Sequence, residues 1–92
     1  MPEARPSAEL TNRVGLHARP SVKLTQIAKR FSARIEIATS LDGPWTDAKS
    51  PVKIMRIKAV RGEILHVKAF GADAASAVAA VVDLVQRNFD EE

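Results

Sequence analysis

Ninety-two residues, 46% of them hydrophobic, suffice for one domain around one core and leave no length for a second. The absence of cysteine excludes disulfides, thiolate metal ligands and thiol catalysis, and it suits a reducing compartment. Fourteen lysines and arginines against eleven acids give a net charge of +3, which favours an acidic protein surface or a nucleic acid as partner without choosing between them.

No run is apolar enough to cross a bilayer, and Met1 to Pro6 lacks the apolar middle of a signal peptide, so the chain is expected in the cytoplasm. Two prolines and few apolar residues make 1–7 a mobile lead-in, with a single domain over 8–92. Ala8 to Asn12 is long enough for one strand. From Ala18 to about Phe31 the positions Leu24, Ile27, Ala28 and Phe31 follow the spacing of an amphipathic helix. Ala33 to Ala38 alternates with period two, which puts Ile35 and Ile37 on one buried strand face. Leu41-Asp-Gly-Pro44 is dense in turn formers, and Trp45-Thr46 starts a short return strand.

Ser50 and Pro51 mark a second helix, serine as N-cap and proline at the first helical position, with Val52, Ile54, Met55 and Ile57 as its apolar side. Glu63 to Phe70 is another strand, with Leu65, Val67 and Ala69 toward the core. Asp73 is placed to cap a last helix from Ala74 to about Asn88, with Val78, Val81, Val82 and Val85 in register. The order βαββαβα implies an α+β open-faced sandwich, an antiparallel sheet with its helices on one face.

The chemistry concentrates in Gly15-Leu16-His17-Ala18-Arg19-Pro20. A helix starting there leaves its first amides unpaired at the positive end of the dipole, an anion site beside an imidazole, which is a known covalent nucleophile. Arg19 adds a forked, charge-matched contact and Ala18 lies among the open amides. Such an arrangement reads as a phosphoryl site. Histidine also occurs as a structural cap and arginine as a solvated surface charge, so the residues alone leave both readings open.

That run, with the later Lys49-Ser50, resembles the HPr family of histidine-containing phosphocarriers of the bacterial phosphotransferase system, over nearly the whole chain. The resemblance implies the same βαββαβα fold with four strands and three helices. It also implies phosphorylation of His17 on its pros nitrogen, Nδ1, by enzyme I, onward transfer to a sugar-specific or nitrogen-related component, and a monomeric carrier that relays the group stoichiometrically rather than turning over as an enzyme. Ser50 matches the family's regulatory position for a serine kinase and phosphorylase, although an N-cap explains a serine there by itself. Three departures stand out: about two extra residues between His17 and Ser50, absorbed most easily by the 41–46 hairpin; Pro51 in place of an apolar contact residue; and Lys53 where many relatives have glycine. Ser21 stands where alanine is frequent and reads as merely tolerated.

Lys49, Lys53, Arg56 and Lys58 on the second helix, with Arg13, Arg19, Lys23, Lys29 and Arg30, form a basic rim around an apolar centre of Val52 and Met55, the composition of a transient docking site in which Lys23, Lys49, Val52, Lys53, Met55 and Arg56 are the expected contacts, or else a solvated face. His66 lies mid-strand without a second ligand at metal spacing and reads as solvated, so neither a metal nor a cofactor is implied. Two rival functions stand beside the carrier: an adaptor on the same fold that binds partners without phosphotransfer, and a small basic nucleic-acid-binding module. The few aromatics, Phe31, Trp45, Phe70 and Phe89, offer no evident base-stacking platform for the latter.

Overall fold

Ile35 and Ile37 are fully buried, as is Leu65, with Val67 nearly so, and this shared apolar face sets the register of the two central strands. The computed structural model describes residues 6–91. Its elements are β1 (Ser7–Glu9), α1 (Ala18–Ala28), β2 (Arg34–Ala38), β3 (Thr46–Asp47), α2 (Pro51–Ile57), β4 (Ile64–Phe70) and α3 (Ala74–Gln86), closed by a 3₁₀ turn, Asn88–Asp90. The strands form one antiparallel sheet in the order β1-β4-β2-β3, with Ile35 opposite Ala69 and Ile37 opposite Val67.

All three helices seal the same face. Leu24 and Ala28 of α1, Ile54 of α2, and Ala77, Val81, Leu84 and Val85 of α3 share one cluster with the strand residues. The order and fold class expected from the sequence are therefore present. The boundaries shift modestly. The ordered chain begins before Ala8, because the Pro6 carbonyl accepts from Val67 N at 3.2 Å and Ser7 pairs with His66; the rest of the expected lead-in lies outside the described residues. Helix α1 stops at Ala28 rather than Phe31, and Phe31 still packs against the core.

Ser50 caps α2 as expected, its hydroxyl accepting from Lys53 N at 3.3 Å, with Pro51 in the first turn. Asp73 does not cap α3. Its carboxylate reaches back across the fold to accept from Ser32 N at 2.9 Å and Ala33 N at 2.8 Å, tying the loop before β2 to the start of the last helix. His66 is not simply solvated either: its Nδ1 is buried and makes no hydrogen bond among the described residues. On the same open side of the sheet, Lys68 Nζ lies 4.1 Å from the Trp45 ring centroid and pairs with Glu36 at 3.7 Å.

The closing turn has no counterpart in the expected elements. Asn88, Phe89 and Asp90 all adopt positive φ, between 56° and 60°, a conformation costly for L-residues. Phe89 is fully buried, its carbonyl accepts from Lys23 Nζ at 2.7 Å, and the Asn88 side chain bonds the Thr11 hydroxyl. Burial and these tethers hold what local preference disfavours. The turn brings the last described residues back beside the start of α1.

Candidate functional site

The site is built on a loop with little freedom. Asn12 is buried, and its Nδ2 donates to the Gly15 carbonyl at 2.9 Å while Gly15 N returns to the Asn12 carbonyl at 3.4 Å. Gly15 has φ +64°, and a Cβ there would lie 2.4 Å from the Ala59 carbonyl oxygen, so glycine is required by conformation and by space. Leu16 N then donates to that same oxygen at 3.0 Å and its side chain is buried, which fastens the loop to the segment after α2.

His17 follows as the N-cap residue of α1, in extended conformation, with its carbonyl accepting the first helical bond from Ser21 N at 3.0 Å. Its ring makes no capping hydrogen bond and the residue is exposed. The capping role open at the sequence level is thus taken by the backbone alone, and the imidazole is left for other chemistry. Ala18 and Arg19 present first-turn amides without helical acceptors, buried Pro20 has none to present, and no acidic residue lies in this turn. The positive end of the helix dipole is unopposed from within the helix.

Ser21 is more than tolerated. It is fully buried, and its hydroxyl donates to the Leu16 carbonyl at 3.2 Å, holding the residue just before His17.

Two depressions flank the imidazole. One, of about 330 Å³, is largely apolar and includes Val14, Leu16, Met55, Ala59 and Val60. The other, of about 630 Å³, is charged: Arg13, Arg19 and Lys23 line it with Asp90 and Glu91. Arg19 Nε lies 4.0 Å from a Glu91 carboxylate oxygen, the arginine side chain 80% exposed and the glutamate 20%. The hydrogen bond from Arg87 holds the Asp90 carboxyl below its ordinary pKa, so Asp90 is an anion at neutral pH. His17 therefore stands between a largely apolar surface and a charged one in which three cations meet two carboxylates.

The expected docking set divides. Met55 lines the apolar depression with His17, and Val52, one turn earlier on the same helix, is 55% exposed. Lys23 and Lys49 are tethered, their ammonium groups donating to the carbonyls of Phe89 and Phe31 at 2.7 and 2.8 Å. Arg56 lines a separate depression with Thr39, Pro44 and Thr46 of the hairpin region, so α2 itself carries it away from His17. Lys53 is exposed, its backbone engaged by the Ser50 cap. Val14 and Val60, more than half exposed, join the apolar surface although the sequence reading passed over them. The available signal was a β-branched apolar residue standing in a loop close before a glycine, twice. Among the described residues there is no cluster of side chains able to hold a metal ion.

Comparison with known proteins follows the same lines. A family model described as "PTS HPr component phosphorylation site" matches residues 4–87. The chain is 31% identical over 86 residues to phosphocarrier protein NPr of Escherichia coli K12, covering 94% of each chain. It is 35% identical over 85 residues to phosphocarrier protein HPr of Neisseria meningitidis serogroup A, covering 92% of this chain and 93% of that one. Among solved structures, HPr from Thermoanaerobacter tengcongensis superposes with a TM-score of 0.86 at 34% identity, covering 98% of this chain and 99% of the other.

Proposed function

This chain belongs to the HPr family of phosphocarriers of the phosphotransferase system, and on that premise we propose that His17 is the residue that carries the phosphoryl group. One observation carries the proposal: an exposed imidazole at the start of α1, unused as a cap, beside two open backbone amides and the Arg19 guanidinium. The donor is enzyme I, charged from phosphoenolpyruvate. The acceptor is a sugar-specific or nitrogen-related component of the same system.

In the accepting step the lone pair of unprotonated His17 Nδ1 attacks phosphorus as the bond from phosphorus to the donor breaks, and the bonding pair leaves with the donor. Onward transfer reverses these roles. The proton of the neutral ring then sits on Nε2. Such a reaction asks chiefly for positioning and charge compensation, which the Ala18 and Arg19 amides and the Arg19 side chain supply. No general base of its own is needed, so the protein acts as a relay consumed and regenerated stoichiometrically, whose partners bring the catalytic groups.

The apolar surface of Val14, Met55 and Val60, continued by Val52, is where we place partner docking. Ser50 serves first as the α2 cap; a phosphoryl group added by a serine kinase would place negative charge near that surface and weaken docking of an acidic partner. The attachment atom is testable by ³¹P–¹H correlation spectroscopy of the phosphorylated protein, which should connect phosphorus to the His17 ring through Nδ1. Attachment through Nε2, or to another residue, would refute the assignment.

A further inference from the structure

We infer that Arg13 is a second phosphate-contacting guanidinium, completing the site from the loop side. The inference rests on His17 being the carrier residue and adds to it a residue with a distinct role.

A protein-borne phosphoryl group carries roughly two negative charges near pH 7. It would enter a groove that already holds the carboxylates of Asp90 and Glu91, with Arg13, Arg19 and Lys23 as the cations. Two of these cations are engaged. Lys23 Nζ is bound to the Phe89 carbonyl at 2.7 Å, and Arg19 faces the mostly buried Glu91 carboxylate at 4.0 Å. Arg13 makes no ion pair among the described residues, and it is exposed. Without it, a phosphoryl dianion would share Arg19 with a carboxylate.

Geometry supports the same assignment. Arg13 occupies the turn between Asn12 and Gly15, fixed by the buried Asn12 amide, by the positive φ of Gly15 and by the bond from Leu16 N to Ala59. Its backbone is therefore held within a loop anchored on both sides, and Arg13 lines the same groove as His17 and Arg19. A forked guanidinium on a fixed base suits phosphate oxygens better than a mobile point charge.

The competing role for an exposed arginine is contact with an acidic partner, and equilibrium separates the two. Wild type and Arg13→Ala are mixed in equal amounts with catalytic enzyme I and limiting phosphoenolpyruvate, and the phosphoryl group is allowed to partition between them, read by native mass spectrometry. Docking alters how fast the partition is reached and leaves its final ratio untouched. Contact with the phosphate predicts about a two- to fivefold excess on the wild type, the range for a solvent-exposed ion pair, partly restored in Arg13→Lys. It also predicts an upward shift in the second ionisation of the phosphoryl group in Arg13→Ala, read by ³¹P titration. An even partition with an unchanged titration, when wild type is phosphorylated, overturns this inference alone, even if Arg13→Ala slows transfer. If wild type accepts no phosphoryl group on His17, the carrier assignment falls and takes this one with it.

Discussion

Gly15 and Asp73 show how single residues hold this site and its scaffold in place. A Cβ at Gly15 would meet the Ala59 carbonyl at 2.4 Å in a conformation with positive φ. Gly15→Ala should therefore lose about 1–3 kcal/mol of stability, measured by urea unfolding, and should slow phosphorylation by shifting the loop that leads to His17. Asp73 makes a prediction about pH. Hydrogen bonds from the Ser32 amide, and then from Ala33, hold its carboxyl below its ordinary value. A group whose folded pKa is depressed contributes stability above its unfolded pKa and loses it as pH falls through the folded one. Asp73→Ala should lower the melting temperature at neutral pH, and the gap to wild type should close as the solution is taken below the usual aspartate range. A gap that persists in acid would mean that packing, and not the carboxylate, accounts for the loss.

The same two positions mark what a sequence discloses at this scale. Gly-Leu-His-Ala-Arg-Pro was legible because a glycine, a histidine and a proline at a helix start each have a local physical reason to be there. Asp73 precedes a helix and so looks like its cap, yet it accepts from amides forty residues earlier in the chain. Local pattern cannot say which distant donors a carboxylate will meet. Ser21 differs: its partner, the Leu16 carbonyl, is close in sequence, but the bond depends on the turn from the loop into α1, which residue type alone does not specify.

At the scale of elements, periodicity carried most of the fold, since every long helix and central strand has one face in the core and one in water. Helix α2 is short, so its cap matters. Ser50→Ala should cost about 1 kcal/mol in urea unfolding while leaving phosphorylation of His17 intact, whatever the role of the serine in regulation. The C-terminal turn is the opposite case. Asn88 and Asp90 are residue types that tolerate positive φ, but Phe89 between them is not, and the segment forms because Phe89 fills the core and Lys23 holds its carbonyl. Phe89→Ala should cost about 3–5 kcal/mol by denaturant titration, with the stability of α3 reduced alongside. A loss well under 1 kcal/mol would mean that the turn is not anchored as described. The expected basic rim is only partly free, because a lysine's place on a helix does not tell whether its ammonium will reach solvent or a backbone carbonyl. Lys23 and Lys49 both took the carbonyl.

For the whole molecule, the sheet sets α1 and α2 side by side on one face, and the loops at their ends leave His17 between an apolar and a charged depression. The proposed function divides the labour between them: apolar contact for partner recognition, cations and amides for the transferred group. Val60→Glu should reduce the rate of transfer from enzyme I severalfold with little change in unfolding midpoint, because Val60 is 59% exposed and its loss empties no core. The central claim, that this chain carries a phosphoryl group on His17, is tested most directly by incubating it with phosphoenolpyruvate and enzyme I and measuring protein-bound phosphate before and after acid treatment. One acid-labile phosphate per chain, absent from His17→Ala, is the expected result. No labelling by enzyme I from the same organism, or labelling that survives in His17→Ala, would contradict it.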